Sequence, residues 1–231
     1  MKTLLLLILL QQFVSAAETP TKRTCRILFL NAPSSSPTTL FLFDGKESRE
    51  VELPRMNFSP TYTLPGTEGL TLFFTPNQVS TLEEVPAGSP SVKVPSGTSD
   101  FYLLLSTDES NSVAPIRPQL VNAKFDQFKT GEILWFNLTS ATVAGQVGEE
   151  KLALKPRSQG RTQAPDSAQK NLSINLAYRL QKDDPVYPIC ETTWPHDSRS
   201  RKVAFIFQEP NRRAPRVLAF NDYRPVQQKE N

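Results

Sequence analysis

The ten residues Asn171–Leu180 read NLSINLAYRL, and apolar side chains occupy every second position of this stretch. Successive side chains of a β-strand point to opposite faces, so this spacing predicts a strand with one buried and one solvent-exposed face. The predicted buried face comprises Leu172, Ile174, Leu176, Tyr178 and Leu180. No other stretch of the chain alternates as cleanly, and the interpretation of the fold starts here.

Shorter stretches elsewhere show the same period and predict further strands. They are Arg26–Leu30, Thr39–Phe43, Glu50–Leu53, Leu70–Thr75, Phe101–Ser106, Ile133–Thr139, Leu152–Leu154, Lys202–Gln208 and Val217–Phe220. Asp44-Gly45 tolerates the positive φ angles of a tight turn and predicts a hairpin. A convincing helical stripe is absent from the sequence, although a short helical turn fits Gln78–Glu84. With 20 Pro and 9 Gly between short strands, the chain is expected to form all-β sandwiches of immunoglobulin-like type.

The first 17 residues have the three zones of a secretory signal peptide. Lys2 forms the basic zone, Leu4–Leu10 the apolar zone, and Val14-Ser15-Ala16 the small-residue zone before cleavage. The apolar run is shorter than the about 20 residues of a membrane-spanning helix. No comparable run follows, so we expect export to the periplasm or the medium, with no transmembrane segment after cleavage.

The remaining chain is long enough for two domains of ordinary size. The polar, proline-bearing segment Thr107–Pro118 is predicted to be their boundary, because the balance of charge changes sign across it. The prediction is therefore a signal peptide at 1–17, sandwiches at 18–115 and 116–225, and a frayed tail at 226–231.

Three further features bear on this organisation. Acidic residues outnumber basic ones in the first half and basic ones dominate the second, so the halves are expected to dock on each other, to be solvated, or to offer a basic surface to an anionic polymer. The polar stretch Arg157–Lys170 is expected to be a long loop within the second domain. No internal repeat is evident, although related topologies in the two halves are compatible with the pattern.

Cys25 and Cys190 are the two cysteines of the chain. Export permits oxidation, and a bridge between them would join the two domains and stabilise the fold by about 4–5 kcal/mol in the chain-entropy model. The alternative is two separate buried thiols that behave as small apolar side chains. Both interpretations are open at the level of the sequence.

Signatures of catalysis are scarce. His196 is the single histidine, which excludes HExxH zinc sites and multi-histidine copper sites, and no metal or cofactor is expected. His196 is followed by Asp197, but adjacency in sequence does not make a catalytic triad. Acidic pairs that a glycosidase would need occur only in polar, turn-like surroundings, which are typical of solvated acids.

Binding candidates come from an aromatic residue and from a basic tract. Trp135 alternates with Leu134 and Phe136, so it is expected either to be exposed to a partner or to pack at the domain interface. The basic candidates are Arg199, Arg201, Lys202, Arg212 and Arg213. Phe205 and Phe207 share a face with Val203 in this tract, which is typical of core packing and argues against nucleic-acid binding.

Segments of the second half resemble uncharacterised bacterial exported proteins of similar length; these segments are Thr130–Thr139, Gly145–Pro156, Arg201–Gln208 and Pro215–Asp222. The resemblance implies a bacterial envelope or secreted setting and brings no activity. The two-sandwich layout is also similar to periplasmic pilus chaperones, in which Arg26 would be the candidate basic anchor.

Three functions are therefore considered. The first is a non-catalytic exported binding or structural module of the bacterial cell envelope, with a protein or an envelope polymer as its partner. The second is a periplasmic chaperone-like protein that holds an extended peptide by β-strand addition. The third is a glycan-active enzyme.

Overall fold

The structure is a computed structural model, and it describes residues 22–66, 68–124, 128–163, 171–209 and 212–223. The predicted signal peptide and tail lie outside these residues. Within them the chain forms sixteen β-strands and one short 3-10 turn, Leu82–Glu84. The predicted all-β class is confirmed.

The first eight strands build one sandwich. They are β1 (Lys22–Phe29), β2 (Thr39–Phe43), β3 (Ser48–Glu52), β4 (Tyr62–Pro65), β5 (Leu70–Thr75), β6 (Ser91–Val94), β7 (Asp100–Thr107) and β8 (Ile116–Asn122). They form an outer sheet with the order β3-β2-β5-β6 and an inner sheet with the order β4-β1-β7-β8.

The last eight strands build the second sandwich. They are β9 (Glu132–Asn137), β10 (Thr142–Val147), β11 (Glu150–Leu154), β12 (Gln159–Gln163), β13 (Asn171–Arg179), β14 (Tyr187–Pro195), β15 (Arg201–Phe207) and β16 (Arg216–Asp222). Their outer sheet has the order β11-β10-β13-β14 and their inner sheet the order β12-β9-β15-β16.

The two sandwiches have the same topology. Each strand of the first has its counterpart eight strands later, and the central pair of each inner sheet is parallel, β1 with β7 and β9 with β15. A corresponding ion pair crosses the last hairpin of each, Asp108 with Arg117 and Glu209 with Arg216. The chain is thus a structural tandem repeat, which the sequence did not reveal.

Three apolar layers hold four sheets in a stack. The first lies between the sheets of the first sandwich and the third between those of the second. The middle layer joins the two inner sheets, with Leu28, Tyr102 and Leu104 from one side and Phe136 and Phe205 from the other. The sandwiches therefore pack face to face through a continuous apolar core.

This stacking explains the two kinds of strand pattern. Inner strands are covered on both faces, and residues 101–105 of β7 and 203–207 of β15 are accordingly buried without interruption. The outer strand β13 is buried at every second residue along most of its length, as its sequence predicts. Val203, Phe205 and Phe207 lie in the middle layer, which confirms them as core residues.

The predicted domain boundary is wrong. Thr107–Pro118 contains the hairpin loop between β7 and β8, and β8 pairs with β7 along its whole length. The first sandwich therefore extends to Asn122 rather than ending at 115, and the predicted second domain, 116–225, begins too early. Polar residues and prolines are typical of hairpin loops as well as of linkers, so composition could not separate the two.

Two local predictions have different outcomes. The Asp44-Gly45 hairpin is confirmed, because Gly45 has φ of 94° and Asp44 Oδ1 accepts hydrogen bonds from the N–H groups of Lys46 and Glu47. The predicted loop at 157–170 is wrong in part, because Gln159–Gln163 forms β12 and pairs with β9. Residues 164–170 lie outside the described residues.

Candidate functional site

The two cysteines lie in different layers of the stack. Cys25 is fully buried in the core of the first sandwich, whereas Cys190 is on β14 and packs against the core of the second. No disulfide joins them, so of the two interpretations left open the bridge is wrong and that of two separate thiols describes the fold. Burial raises the pKa of the Cys190 thiol, which makes it a weaker nucleophile at neutral pH.

Trp135 is a core residue of the second sandwich. Its side chain is fully buried, its Nε1 donates a hydrogen bond to Thr162 Oγ1 at 2.8 Å, and its ring stacks on Trp194. Both placements predicted for it, exposure and the domain interface, are wrong. The alternation with Leu134 and Phe136 is confirmed, but it is those two residues that face the first sandwich.

The basic tract does not form one surface, because Arg201 is buried where the sandwiches meet. Its Nη2 lies 2.6 Å from Asp222 Oδ2, and its Nη1 donates to the carbonyl oxygens of Ala123 and Phe128. Arg26 reaches the other carboxylate oxygen of Asp222 from the first sandwich. Tyr102 donates its hydroxyl to the same carboxylate.

This Asp222 cluster has a structural explanation. The Asp222 side chain is fully buried, and two guanidinium groups and a phenol satisfy its oxygens. Arg26 is 15% exposed and also donates to the carbonyl oxygen of Ser59. Its charge is therefore compensated, and it is not available as the free basic anchor that the chaperone hypothesis requires.

Arg199 and Lys202 interact with residues other than Asp222. Arg199 is exposed and pairs with Asp197, and its hydrogen bonds hold the pKa of that carboxyl below its ordinary value. Lys202 lies over the Trp194 ring with Nζ at 5.8 Å from the ring centroid, and burial lowers the pKa of its ammonium group. The charged groups of Arg199 and Lys202 therefore both interact with residues of the second sandwich.

Arg212 and Arg213 lie on the hairpin between β15 and β16. Arg212 pairs with Glu209 at 2.7 Å. Arg213 is exposed, and its carbonyl oxygen accepts a hydrogen bond from the Tyr178 hydroxyl at 3.3 Å. Among the described residues no carboxylate pairs with Arg213, so its charge is open to a partner.

A cleft of about 390 Å³ opens beside this hairpin, at one end of the second sandwich. Its buried residues include Tyr178, Phe207 and Pro215, and its rim includes the exposed residues Arg157 and Leu180. We call this region the end cleft. None of the predicted site residues lines the end cleft, so the cleft was not predicted.

Exposed apolar side chains continue from the end cleft along its rim. Leu180 is 58% exposed, and Val186 and Tyr187 are similarly exposed at the start of β14. The Tyr187 ring lies against Tyr178, with 5.6 Å between the ring centroids. Apolar residues within the otherwise polar connection after β13 were the one signal in the sequence that could have indicated this surface.

Arg157 has an unusual backbone at the rim. Its φ is 54°, a left-handed conformation uncommon for residues other than glycine, and its N–H donates to Thr139 O at 3.2 Å. Among the described residues no carboxylate pairs with its exposed guanidinium group. The end cleft therefore combines an apolar floor with one uncompensated arginine in its lining, Arg157, while a second, Arg213, lies on the adjoining hairpin.

The described residues also bear on metal binding and on membrane insertion. Within the described ranges no group of three or more His, Cys, Asp and Glu side chains is arranged to hold a metal ion. No helix in the described part of the chain has the length and apolar character to cross a bilayer. Comparisons with models of known protein families and with curated proteins find no match.

Proposed function

We propose that this chain is a non-catalytic binding module exported to the bacterial cell envelope, and that it engages its partner through the end cleft. The observation that carries the proposal is an open cleft lined by the exposed Leu180, with Tyr187 packed against its lining residue Tyr178 and Val186 exposed beside Tyr187 in the chain. Exposed apolar residues that continue into a cleft are typical of contact surfaces. The volume of the cleft lies within the about 300–1,000 Å³ usual for binding pockets.

The interior of the molecule provides a rigid support for the proposed contact surface at the end cleft. The Asp222 cluster and the middle apolar layer hold the two sandwiches together. A rigid support reduces the conformational entropy that binding costs, because the contact surface is ordered before the partner arrives. The paired acids considered for catalysis lie at the surface, for example Glu83 with Glu84 and Glu149 with Glu150, whereas a catalytic acid usually needs partial burial.

The test is capture from the periplasmic fraction of the producing bacterium by the purified protein. A variant carrying Leu180→Ser, Val186→Ser and Tyr187→Ser removes the apolar rim at exposed positions, so the fold should persist. We expect the wild type to retain a partner that this variant loses. Met56→Ser is the matched control, because Met56 is 78% exposed on the first sandwich. Equal capture by the wild type and the rim variant would rule out the end cleft as the contact surface.

One observation favours the chaperone-like alternative. β14 is a nine-residue strand at the edge of its sheet, and most of its residues are exposed. An exposed edge can take up an extended peptide as a further strand. Thr193→Pro would remove an N–H group that points to the open edge at the centre of β14, because the paired Ser173 hydrogen-bonds to the other side, towards β10. Loss of peptide capture by this variant with retention by the rim variant would favour strand addition.

A further inference from the structure

The two repeats differ at the end where the cleft lies. In the first repeat the connection from β5 to β6 spans residues 76–90, and its Gly88 carbonyl oxygen accepts a hydrogen bond from Asn111 Nδ2 in the hairpin between β7 and β8. Val79 of the same connection is buried. The equivalent connection of the second repeat, 180–186, is much shorter. The second repeat thus lacks a segment that the first repeat folds against its own end.

The longer connection also carries an outward-facing apolar group. Its 3-10 turn, Leu82–Glu84, has no buried residue, and Leu82 is 56% exposed. The turn is ordered by two local hydrogen bonds, from Ser80 N to Glu84 Oε2 at 2.6 Å and from Val85 N to Leu82 O at 3.2 Å. A leucine is therefore presented on a preorganised turn with two exposed carboxylates beside it.

The end cleft has the complementary properties. Phe207 and Pro215 offer apolar surface inside it, and the exposed Arg157 lines it. The exposed Arg213 lies on the hairpin that supplies Gln208 and Pro215 to the cleft, and its carbonyl oxygen accepts a hydrogen bond from the lining residue Tyr178. The Leu82–Glu84 turn offers an apolar side chain for the interior of the cleft and two carboxylates for the arginines. An apolar side chain that enters the cleft would bury its surface, while the charges would steer and orient the approach.

We propose that the end cleft of one molecule receives the Leu82–Glu84 turn of a second copy of the chain. The inference rests on the proposed function, since it names the partner of the same cleft. Within one molecule Leu82 stays exposed and the cleft stays open, so the contact forms between copies. Because the turn and the cleft are different surfaces, the contact is head-to-tail and repeats into rings or open filaments.

The test is sedimentation velocity of the mature chain across concentrations up to about 1 mM, which covers the weak affinities typical of a small contact. The wild type is expected to grow beyond the monomer with concentration and to dissociate as salt is added, because the charges lie near the surface. One variant carries Glu83→Arg and Glu84→Arg, and a second carries Arg157→Glu and Arg213→Glu. Each alone should weaken self-association at least about tenfold.

Mixing the two variants makes the test decisive. Each then meets a cleft or a turn of opposite charge in the other, so the mixture should associate as the wild type does, a rescue that misfolded protein could not produce. Glu50→Arg with Glu52→Arg is the matched control on β3 and should associate normally. A wild type that stays monomeric, variants that associate like the wild type, or a mixture without rescue would each overturn the inference. Capture of an envelope partner by a monomeric wild type would overturn it while leaving the proposed function intact.

Discussion

Asp222 lies where the two sandwiches meet, and its carboxylate accepts hydrogen bonds from both of them. Arg201 approaches from the same sandwich, while Arg26 and Tyr102 approach from the other. Removing one partner from a buried ion cluster is costly, because the remaining charges stay desolvated without compensation. The stability of the interface is therefore expected to depend strongly on this one side chain.

Asp222→Asn preserves the shape of the side chain and removes its charge. We expect the free energy of unfolding to fall by about 3–5 kcal/mol, because the two arginines lose their counter-charge in a buried site. Urea denaturation followed by circular dichroism measures the change. Asp197→Asn is the control, since that carboxylate pairs with the exposed Arg199 and should leave the midpoint unchanged. A wild-type midpoint for Asp222→Asn would show that the cluster does not stabilise the interface.

Alternation along a strand could predict which residues share a face, but not what covers that face. Trp135 was placed correctly opposite Leu134 and Phe136. Its burial could not be predicted, because both faces of β9 are covered by sheets far away in sequence. In the same way, the sequence alone does not distinguish Arg201 from a surface arginine, because only the fold brings its partners Asp222 and Ala123 against it.

At the scale of the element, most of the strands that escaped prediction lie at sheet edges, although the edge strands β3, β11 and β16 were predicted. β2 and β5 were predicted at their observed bounds. The prediction missed β4, β6, β8, β10, β12 and β14. β14 is largely exposed on both faces, so its residues show no period of two, and β8 contains Pro118, which is tolerated at a sheet edge.

At Gly145 strand β10 lies close against the backbone of β13. A Cβ atom at this position would lie 2.9 Å from Leu176 Cα and closer still to the carbonyl oxygen of Asn175. Both are backbone atoms of β13, which cannot turn aside as a flexible side chain could. The register of β13 with β14 also shifts between Leu176 and Ala177, so the strand is already irregular at this point.

Gly145→Ala is therefore expected to lower the free energy of unfolding by about 1–3 kcal/mol, as is typical of overpacking. Thermal denaturation provides the measurement. Ala144→Ser is the control, because Ala144 is the exposed neighbour on the same strand. Equal melting temperatures for Gly145→Ala and the wild type would show that β10 and β13 can separate without cost.

At the scale of the whole molecule, the predicted two sandwiches are confirmed, but their repeat and their stacking were hidden. Few residues are shared between equivalent strands, although Arg117–Asn122 of β8 and Arg216–Asn221 of β16 both begin with arginine and end with asparagine. The end cleft was equally hidden, because it forms where several connections that are distant in sequence meet.

The middle layer predicts how the molecule unfolds. Because both sandwiches share one apolar core, we expect a single cooperative transition. Trp135 and Trp194, the only two tryptophans, belong to the second sandwich, whereas circular dichroism reports on both. Denaturation curves from tryptophan fluorescence and from circular dichroism should therefore coincide. Two separate midpoints would show that the sandwiches unfold independently.

The repeat also has a consequence for recognition between the halves. Counting back from the matched residues Asp108 and Glu209 places Asp100 and Arg201 at equivalent positions, and these two residues face each other with Asp100 Oδ2 at 3.4 Å from Arg201 Nη2. If two first halves paired through the same faces, aspartate would meet aspartate, and two second halves would oppose arginine to arginine. Pairing of two like halves from neighbouring chains is thus penalised by charge repulsion, whereas a first half paired with a second half places Asp100 against Arg201.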